Sequence, residues 1–331
     1  MSEKLIIVTG GAGFIGSAIV WKLNEMGFEN IIIVDHLGES DKWKNLRSLK
    51  FMDYVEKDKF IDTIRNNDNP YSADCIFHMG ACSATTQSDA SYLIQNNFEY
   101  TRDLAICAMN KNIRFIYASS AATYGDGTSG YLDNESDMDQ LRPLNMYGYS
   151  KQLFDQWARH HKVLNKIVGL KFFNVFGPNE WHKGDMRSMV VKAYEQIKEK
   201  GEIELFKSYK TEYNDGEQVR DFIYIKDAVQ MAIHFYDNRD GIYSGIFNVG
   251  TSQTRSWNDL AKAVFKAMNL DPKINYIDMP PALTDRYQYH TQANIDKLRD
   301  TGYKKDLWTL EAAIGDYVNN YLIPHDHLGD N

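Results

Sequence analysis

The chain has 331 residues, a length that favours two lobes around a shared cleft. Its 43% hydrophobic and 25% charged residues are typical of a globular protein, and the net charge of −8 argues against a nucleic-acid partner. The three cysteines lack metal-ligand or disulfide spacing, no apolar stretch is long enough to span a bilayer, and the first strand begins close to the initiator methionine. We therefore expect a cytoplasmic protein without a bound metal or a membrane partner.

The first half of the sequence alternates short apolar runs with segments of helical periodicity. Strands are predicted at Leu5–Val8, Ile31–Val34, Cys75–Phe77 and Phe115–Tyr117, and helices at Phe14–Met26 and Phe98–Met109. This alternation predicts a parallel sheet covered by helices on both faces, and right-handed crossovers bring the strand ends to one edge. The sequence thus predicts an α/β fold with a doubly wound, Rossmann-type sheet.

The second half is less regular and contains longer polar connections such as Lys207–Gln218. Further strands are predicted at Ile167–Phe173, Phe222–Ile225 and Ile246–Val249, and further helices at Met186–Lys200, Trp257–Met268 and Leu310–Leu322. No repeat or proline-rich linker separates the halves. We expect a dinucleotide-binding domain over residues 1–175, to which the chain returns near 222–250. We expect a smaller, mixed lobe over 176–331 that mainly binds the substrate, so the two parts are interleaved.

A glycine-rich turn, Thr9–Gly16, follows the first predicted strand directly and opens the first helix. Gly10 permits the tight turn, Gly13 lets a pyrophosphate approach the backbone, and Gly16 lets the helix pack on the strand. The N-terminus of the helix then faces the anion. In this context the motif predicts a bound dinucleotide.

The end of the second predicted strand carries an acidic residue, Asp35, which suits an adenosine ribose hydroxyl and favours NAD. Lys42 and Lys57 follow in the region that surrounds the adenosine, where either could neutralise the 2′-phosphate of NADP. Solvated surface lysines are an equally good interpretation of both. The residues alone leave NAD and NADP open.

Tyr147 and Lys151 stand four residues apart, which places them on one face of a helix. A free tyrosine titrates near ~10, so its use as a base near neutrality requires a shift of about 3 units. One nearby cation such as Lys151 supplies about 1–3 units, and the positive nicotinamide ring would help complete the shift. Ser120, within the run Tyr117–Gly125 that leaves a predicted strand, is placed to hydrogen-bond the reacting oxygen.

The glycine turn, the run Ser119–Gly125 and the Tyr147 and Lys151 pair resemble the extended short-chain dehydrogenase/reductase superfamily. Within it, the chain resembles the ADP-L-glycero-D-manno-heptose 6-epimerase family in segments that span nearly its whole length: His78–Thr86, Asn145–Lys151, Phe172–Pro178, His182–Gly184, Arg220–Phe222, Asn248–Gly250 and Arg286–Gln288. The superfamily motifs are specific for the fold. The cysteine-containing run and His182–Gly184 are specific for the heptose enzymes.

The resemblance implies that the protein inverts C6 of an ADP-linked heptose by transient oxidation and re-reduction with a tightly bound dinucleotide, usually NADP in that family. It implies two acid/bases, Tyr147 and Lys183, assisted by Ser120 and Lys151. It implies dinucleotide contacts from Gly10, Gly13, Phe14, Ile15, Gly16, Asp35, His36, Lys42, Lys57, Ala81, Asn96, Lys151 and Val175. It implies nucleotide-sugar contacts from Asn174, Asp185, Lys192, Phe206, Arg220 and Tyr287, and family precedent implies a homo-oligomer.

The chain also departs from the heptose family, and other functions fit parts of the pattern. Met79 and Asp185 stand where that family usually has Glu and Ser, and the stretch over 206–220 is longer. A UDP-hexose 4-epimerase shares the fold and the Ser, Tyr and Lys set. A dehydratase typically has acidic residues after the serine, where this chain has Ala121 and Ala122, and a non-catalytic NAD(P)-sensing protein would be expected to lose the catalytic tyrosine or lysine.

Overall fold

The computed structural model describes residues 4–66, 71–237, 243–281 and 287–330. Within these residues, seven strands form the central sheet: β1 (Ile6–Thr9), β2 (Ile31–Asp35), β3 (Asp53–Glu56), β4 (Cys75–His78), β5 (Arg114–Ser120), β6 (Val168–Phe172) and β10 (Gly245–Val249). All neighbouring strands are parallel, in the order β3-β2-β1-β4-β5-β6-β10. Because the strand order reverses beside β1, a crevice opens at the carboxyl end of β1 and β4. The predicted Rossmann-type sheet is confirmed.

Helices cover both faces of this sheet because successive strand residues point to opposite sides. Ile6 belongs to one buried core, which includes residues of α1 and α7, and Ile7 belongs to the other, which includes residues of α2, α4 and α5. The described helices are α1 (Phe14–Glu25), α2 (Lys57–Arg65), α3 (Ala90–Leu93), α4 (Tyr100–Asn110), α5 (Met146–His160), α6 (Met189–Lys200), α7 (Ile225–Asp237), α8 (Trp257–Ala267), α9 (Asp296–Asp300) and α10 (Leu310–Tyr317). A π-helical segment, Ile94–Glu99, joins α3 to α4.

The remaining described strands lie outside the central sheet and form two small sheets. They are β7 (Asn174–Phe176), β8 (Ile203–Phe206), β9 (Val219–Tyr224), β11 (Thr254–Ser256) and β12 (Ile274–Ile277). β9 lies between β7, to which it is parallel, and β11, to which it is antiparallel, while β8 pairs with β12. A smaller mixed part of the fold therefore accompanies the Rossmann-type sheet, as the sequence predicts.

Several element boundaries differ from the sequence-based expectation. The helix expected from Met186 begins at Met189, because Ser188 is extended and a separate 3₁₀ segment, Trp181–Met186, precedes it. The strand expected to end at Ile225 ends one residue earlier, where α7 begins. The helix expected to continue to Leu322 is α-helical only to the end of α10 and then π-helical.

The sequence does not predict five short or half-exposed strands that the structure contains: β3, β7, β8, β11 and β12. Arg286, part of one family-like segment, lies outside the described residues. None of the helices in the described part of the chain is long and apolar enough to cross a membrane.

Candidate active site

A cleft of about 440 Å³ opens at the carboxyl edge of the central sheet. Its walls come from the ends of β1, β2 and β4, from α5, and from the 3₁₀ segment that precedes α6. Most of the residues predicted to bind the dinucleotide line it: Gly10, Gly13, Phe14, Ile15, Gly16, Asp35, His36, Lys42, Lys57, Ala81, Asn96 and Lys151. Val175, which was predicted with them, lies on β7 and does not line this cleft.

The glycine turn leaves the N-terminus of α1 open toward the cleft. Gly10 has a φ of +66°, and a Cβ there would lie 2.6 Å from the backbone nitrogen of Gly80, so no larger residue fits. Gly13 caps α1 without any side-chain hydrogen bond, and the first turn of the helix contains no acidic residue. The first amide N–H groups of α1 can therefore bind an anion. This arrangement fits the pyrophosphate of a dinucleotide.

A buried carboxylate lies at the end of β2, at the other side of the glycine turn. Asp35 accepts hydrogen bonds from the backbone nitrogens of Ala12 at 2.8 Å and His36 at 2.7 Å. Its Oδ1 also accepts from the Lys42 ammonium at 2.9 Å, while Lys57 pairs with Asp58 at 2.8 Å. Both predicted lysines therefore line the cleft with a carboxylate partner already in place.

The structure brings Ser120, Tyr147 and Lys151 together where β5 ends and α5 begins. The Asn145 side chain caps α5 by accepting a hydrogen bond from Gly148 N at 2.8 Å. One turn into the helix, the Lys151 ammonium donates to the carbonyl oxygen of Ala118 on β5 at 2.8 Å. Ser120, the last residue of β5, accepts from Ala122 N at 3.1 Å, and its side chain acts to lower the pKa of the Tyr147 phenol. The phenol and the ammonium line one corner of the cleft, and the Ser120 hydroxyl lies beside them without lining it.

Burial acts on the two titratable groups of this corner in opposite directions. Desolvation raises the pKa of Tyr147, and the Ser120 hydrogen bond opposes that rise. Desolvation lowers the pKa of Lys151 to about 8, and the buried Asp155 carboxylate opposes that fall. The protein's own groups therefore favour the protonated phenol, so further positive charge is needed to produce a phenolate near neutrality.

The buried side chain of Asn97, which the sequence does not predict as a site residue, hydrogen-bonds the cysteine-containing loop within His78–Thr86. Asn97 Oδ1 accepts from Cys82 N at 2.8 Å, and its Nδ2 donates to Cys82 O and to Ser150 Oγ, each at 3.0 Å. Its neighbour Asn96 lines the cleft with Ala81 of the same loop. An Asn-Asn pair inside an otherwise amphipathic helix was the available signal, because a buried amide must find polar partners.

Lys183 lies in the 3₁₀ segment and lines the same cleft. Its ammonium is 5.2 Å from the ring centroid of Phe14, the first residue of α1, and its backbone nitrogen donates to Glu180 O at 3.0 Å. Burial lowers the pKa of Lys183, and the buried Glu180 carboxylate opposes this shift. The contacts described for Lys183 do not include Tyr147.

The residues predicted to bind the nucleotide-sugar lie outside the cleft, in separate groups. The Arg220 guanidinium is 5.2 Å from the ring of Tyr287 and 5.5 Å from that of Trp257, and Phe206 packs edge-on against Tyr287. In the described part of the chain Arg220 forms no salt bridge, and its side chain donates to its own backbone neighbour, Val219 O.

The other predicted sugar-binding residues do not join this group. The Lys192 ammonium donates to Asp185 O at 2.7 Å, so these two residues form a pair at the start of α6. Asn174 is exposed on β7. The described residues contain no cluster of metal-ligating side chains.

Comparison with known proteins shows the family to which the chain belongs. The model of the NAD dependent epimerase/dehydratase family matches residues 6–250, which is more than half of the chain. The chain belongs to the NAD dependent epimerase/dehydratase family. The matched region includes the glycine turn, the Ser-Tyr-Lys corner and Lys183. A nicotinamide dinucleotide is therefore the cofactor of this family member.

Curated relatives of this epimerase/dehydratase family member match it over nearly its full length. The ADP-L-glycero-D-manno-heptose-6-epimerase of Nitratidesulfovibrio vulgaris strain DP4 is 54% identical over 97% of this chain and 99% of its own. The enzyme of the same name from Fusobacterium nucleatum is 50% identical over 97% of this chain and 99% of its own.

Solved structures share the fold at lower identity. The Helicobacter pylori ADP-L-glycero-D-manno-heptose-6-epimerase is 30% identical, with a TM-score of 0.80 over 98% of this chain and 96% of that one. A UDP-N-acetylglucosamine 4-epimerase from Methanobrevibacter ruminantium is 25% identical, with a TM-score of 0.81 over 98% and 100%. Because the two TM-scores are nearly equal, the fold alone does not separate a 6-epimerase from a 4-epimerase.

Proposed function

We propose that this family member is an ADP-L-glycero-D-manno-heptose 6-epimerase that uses a tightly bound NADP. The observation that carries the proposal is a second, half-buried ammonium, that of Lys183, which lines the same cleft as Tyr147 and Lys151. An epimerase that oxidises and re-reduces one carbon needs proton transfer on both faces of a ketone. The names and identities of the relatives, up to 54% over nearly the full length, support the same substrate.

The residues that would hold the dinucleotide are the glycine turn, Asp35 and Lys151. The open N-terminus of α1 suits the pyrophosphate, and the Asp35 carboxylate suits an adenosine ribose hydroxyl. A bound nicotinamide supplies the group that accepts a hydride from the sugar carbon and returns it. Lys42 and Lys57 at the adenosine end support NADP over NAD, because each could turn from its carboxylate partner to a 2′-phosphate.

Tyr147 would remove the proton from the C6 hydroxyl of the sugar while Ser120 hydrogen-bonds the same oxygen. The Lys151 ammonium, fixed to Ala118 O on β5, stands one helical turn away and stabilises negative charge on the phenol. C6 of a heptose lies outside the pyranose ring, so a ketone there can present its other face by rotation about the C5–C6 bond. The nucleotide part of the substrate can then stay in place.

Lys183 would exchange the proton on the opposite face of the ketone. Burial lowers its pKa, which brings a lysine closer to the range in which it can both donate and accept a proton near neutrality. Arg220, framed by Tyr287 and Trp257 and free of a carboxylate partner among the described residues, would hold the substrate pyrophosphate. Phe206 belongs to the same group.

Substrate identity is tested by incubating the purified protein with an ADP-linked heptose and, in parallel, with UDP-glucose and UDP-N-acetylglucosamine. Inversion at C6 of the ADP-heptose, followed by NMR, is the expected result. Inversion at C4 of a UDP-sugar with no change in the ADP-heptose would show that the protein is a UDP-hexose 4-epimerase.

The role of Lys183 is tested by Lys183→Met, with Lys198→Met as the control because Lys198 also lies over an aromatic ring, that of Tyr194. Lys183→Met should slow epimerisation in both directions by at least ~10²-fold, since each direction uses both faces of the ketone. The control should epimerise at the wild-type rate. Equal rates for Lys183→Met and wild type would leave a single-base scheme as the better account.

Three further points of the proposal rest on the sequence pattern and, for the assembly, on family precedent. They are the division into a dinucleotide-binding domain over 1–175, with returns near 222–250, and a substrate-binding lobe over 176–331; the cytoplasmic location; and homo-oligomeric assembly.

A further inference from the structure

One buried side-chain amide connects the dinucleotide turn to the segment that carries Lys183. Asn45, which is 2% exposed, lies in the 3₁₀ segment Asp41–Leu46 at the adenosine end of the cleft. Its Nδ2 donates to Ala12 O, in the glycine turn, at 2.9 Å and to Asn179 O at 3.0 Å. A third acceptor, Nδ1 of His182, lies at 3.2 Å. One amide group thus bridges two parts of the chain that are more than 130 residues apart.

These bonds fix the protonation of His182. Two carbonyl oxygens face the Asn45 amide, so its nitrogen and not its oxygen must point at them. The same nitrogen can only donate to His182 Nδ1, which places the imidazole proton on Nε2. Burial, together with the positive charges of Lys42 and Lys183, lowers the pKa of His182 to about 4, so the ring is neutral near pH 7.

The neutral His182 ring lines the cleft together with Asp35 and Lys42, the residues of the adenosine end. Its neighbour Lys183 lies over Phe14 at the start of α1, where the pyrophosphate site opens. Two adjacent residues of one segment therefore face the path of the dinucleotide. Of these two, only His182 is contacted directly by the Asn45 amide.

The side chain of Asn179, just before the segment that carries Lys183, also forms hydrogen bonds to other parts of the chain. Asn179, which is fully buried and has a φ of +77°, donates from Nδ2 to Ser17 Oγ of α1 at 2.9 Å. Its Oδ1 accepts from Leu328 N near the C-terminus at 2.9 Å. Asn179 is therefore held in place by several hydrogen bonds. Asn45 is the residue that contacts both Asn179 and the His182 ring.

We propose that Asn45 is a positioning residue that holds His182 and Lys183 over the dinucleotide cleft. One amide then serves both the retention of the cofactor and the placement of the second acid/base. The part that concerns Lys183 rests on the proposed epimerase function, whereas the part that concerns cofactor retention does not.

The test is Asn45→Ala, followed by two measurements on the full-length protein. Dissociation of bound NADP or NAD, measured by chase with an excess of the other form, should become at least ~10-fold faster because the amide group that contacts two buried carbonyl oxygens and His182 Nδ1 is lost. At saturating dinucleotide, kcat for ADP-heptose should fall about 10-fold while KM changes little, since the sugar site is untouched. Wild-type values for both quantities would overturn the proposal.

A double variant separates positioning from a general loss of stability. If Asn45 acts through Lys183, Asn45→Ala combined with Lys183→Met should turn over no more slowly than Lys183→Met alone. A full additive loss in the double variant would overturn this coupling. The dissociation measurement needs no sugar, so it decides the cofactor part even if wild type fails to convert ADP-heptose and the proposed function is wrong.

Asn24→Ala is the matched control, because the Asn24 amide also bridges two carbonyl oxygens, those of Phe28 and Lys50, each at 2.8 Å, away from the cleft. It should lower Tm while leaving dinucleotide dissociation and turnover at wild-type values. If Asn45→Ala does not fold, His182→Leu, which removes the imidazole from the cleft but leaves the Asn45 bonds to Ala12 and Asn179, carries the test. Faster dissociation is then expected, and an unchanged rate would overturn the proposal.

Discussion

At the scale of single residues, the proposed mechanism requires the Tyr147 phenol to lose a proton that its surroundings help it keep. Desolvation raises its pKa, and Ser120 only partly compensates. Lys151 is fixed one helical turn away by its bond to Ala118 O, so it can stabilise charge on the phenol only in concert with the positive charge of an oxidised nicotinamide. Base strength in this site is therefore expected to depend on the redox state of the cofactor.

Tyr147→Phe should cut epimerisation by at least ~10²-fold, the usual loss when a positioned acid/base is removed. Dinucleotide content should stay at the wild-type level, because the residues proposed to hold the dinucleotide (the glycine turn, Asp35 and Lys151) are unchanged. Tyr149→Phe is the control, since Tyr149 is an exposed residue of the same helix. Turnover is measured by NMR and bound dinucleotide by absorbance after denaturation; near-normal turnover of Tyr147→Phe would contradict the assignment.

The choice between NADP and NAD depends on the Asp35 and Lys42 pair. Asp35 alone would repel a 2′-phosphate, whereas Lys42, 2.9 Å from it, offsets that charge. Lys42→Gln should therefore shift the ratio of NADP to NAD affinities at least ~10-fold toward NAD, measured by competition for the protein stripped of cofactor. Lys44→Gln, in the same 3₁₀ segment but paired with Asp41, should leave the ratio unchanged. An unchanged ratio in Lys42→Gln would show that Lys42 serves only Asp35.

At the scale of elements, α5 is joined to β5 and β6 by a buried charge network near Tyr147 and Lys151. Asp155, fully buried on α5, accepts from Tyr117 OH at 2.8 Å and Ser119 Oγ at 2.7 Å, both on β5. The Lys171 ammonium on β6 lies 3.8 Å from the same carboxylate and donates to Thr123 Oγ1 at 2.8 Å. This network fixes the helix that carries Tyr147 and Lys151 against the strand that carries Ser120, the residues to which we assign the catalytic roles.

Asp155→Asn should lower the free energy of unfolding by about 3 kcal/mol or more, because it leaves the buried Lys171 ammonium without the carboxylate that lies 3.8 Å from it. Adding Lys171→Met should restore part of that loss, since the stranded charge is then gone. Glu25→Gln, which removes a surface pair with Lys22, should change stability by no more than about 0.5 kcal/mol. Urea unfolding measures all of these; a double variant less stable than Asp155→Asn would contradict the argument.

The sequence predicts those elements whose signal is local. The strand before the glycine turn, the turn itself and the four-residue spacing of Tyr147 and Lys151 depend on neighbours in the chain, and the structure brings these residues to one cleft. By contrast, β3 is a half-exposed strand of sequence Asp-Tyr-Val-Glu, without an apolar run, and it pairs only with β2. Its existence depends on a distant partner that no local window contains.

The roles of buried polar side chains are equally hard to predict from the sequence. Asn45 and Asp155 look like ordinary surface residues in the sequence, and only the fold shows that their partners lie in other elements. The predicted sugar-binding residues fall in several groups for a related reason. A family motif identifies their positions, but their distances from the cleft depend on the packing of the smaller sheets around β7 and β9.

At the scale of the whole molecule, a buried histidine at the centre of the sheet links β4 to β1 and α4 through hydrogen bonds. His78, at the end of β4, is 1% exposed. Its Nε2 is 2.8 Å from Thr101 Oγ1 on α4, and that hydroxyl donates its own proton to Asn97 O. Nε2 must therefore donate, and Nδ1 accepts from Thr9 Oγ1 on β1 at 2.6 Å. The neutral ring is fully satisfied, so a second proton would break this arrangement.

Stability should consequently depend on pH through His78. Burial, and then the nearby Lys151 ammonium, lowers its pKa to about 3 from an ordinary value of 6.5. Below pH 6.5 the unfolded chain binds a proton that the native protein does not, so the contribution of His78 to stability is present at neutral pH and falls as the pH falls toward 3. The slope is at most about 1.4 kcal/mol per pH unit. Asp227 acts in the opposite sense, because burial raises its pKa to about 6 and its protonation favours the native state as the pH falls.

The comparison of His78→Gln with wild type isolates the histidine from such opposing groups. Glutamine cannot be protonated, so the free energy by which wild type exceeds the variant should shrink steadily between about pH 7.5 and 5. Asp227→Asn serves as a control of opposite sign, since the stability difference from wild type should change in the other direction over the same range. Urea unfolding at a series of pH values measures both. A wild-type advantage over His78→Gln that stays constant across this range would mean that His78 binds a proton equally well in the native and unfolded protein, and the hydrogen-bond assignment around it would be wrong.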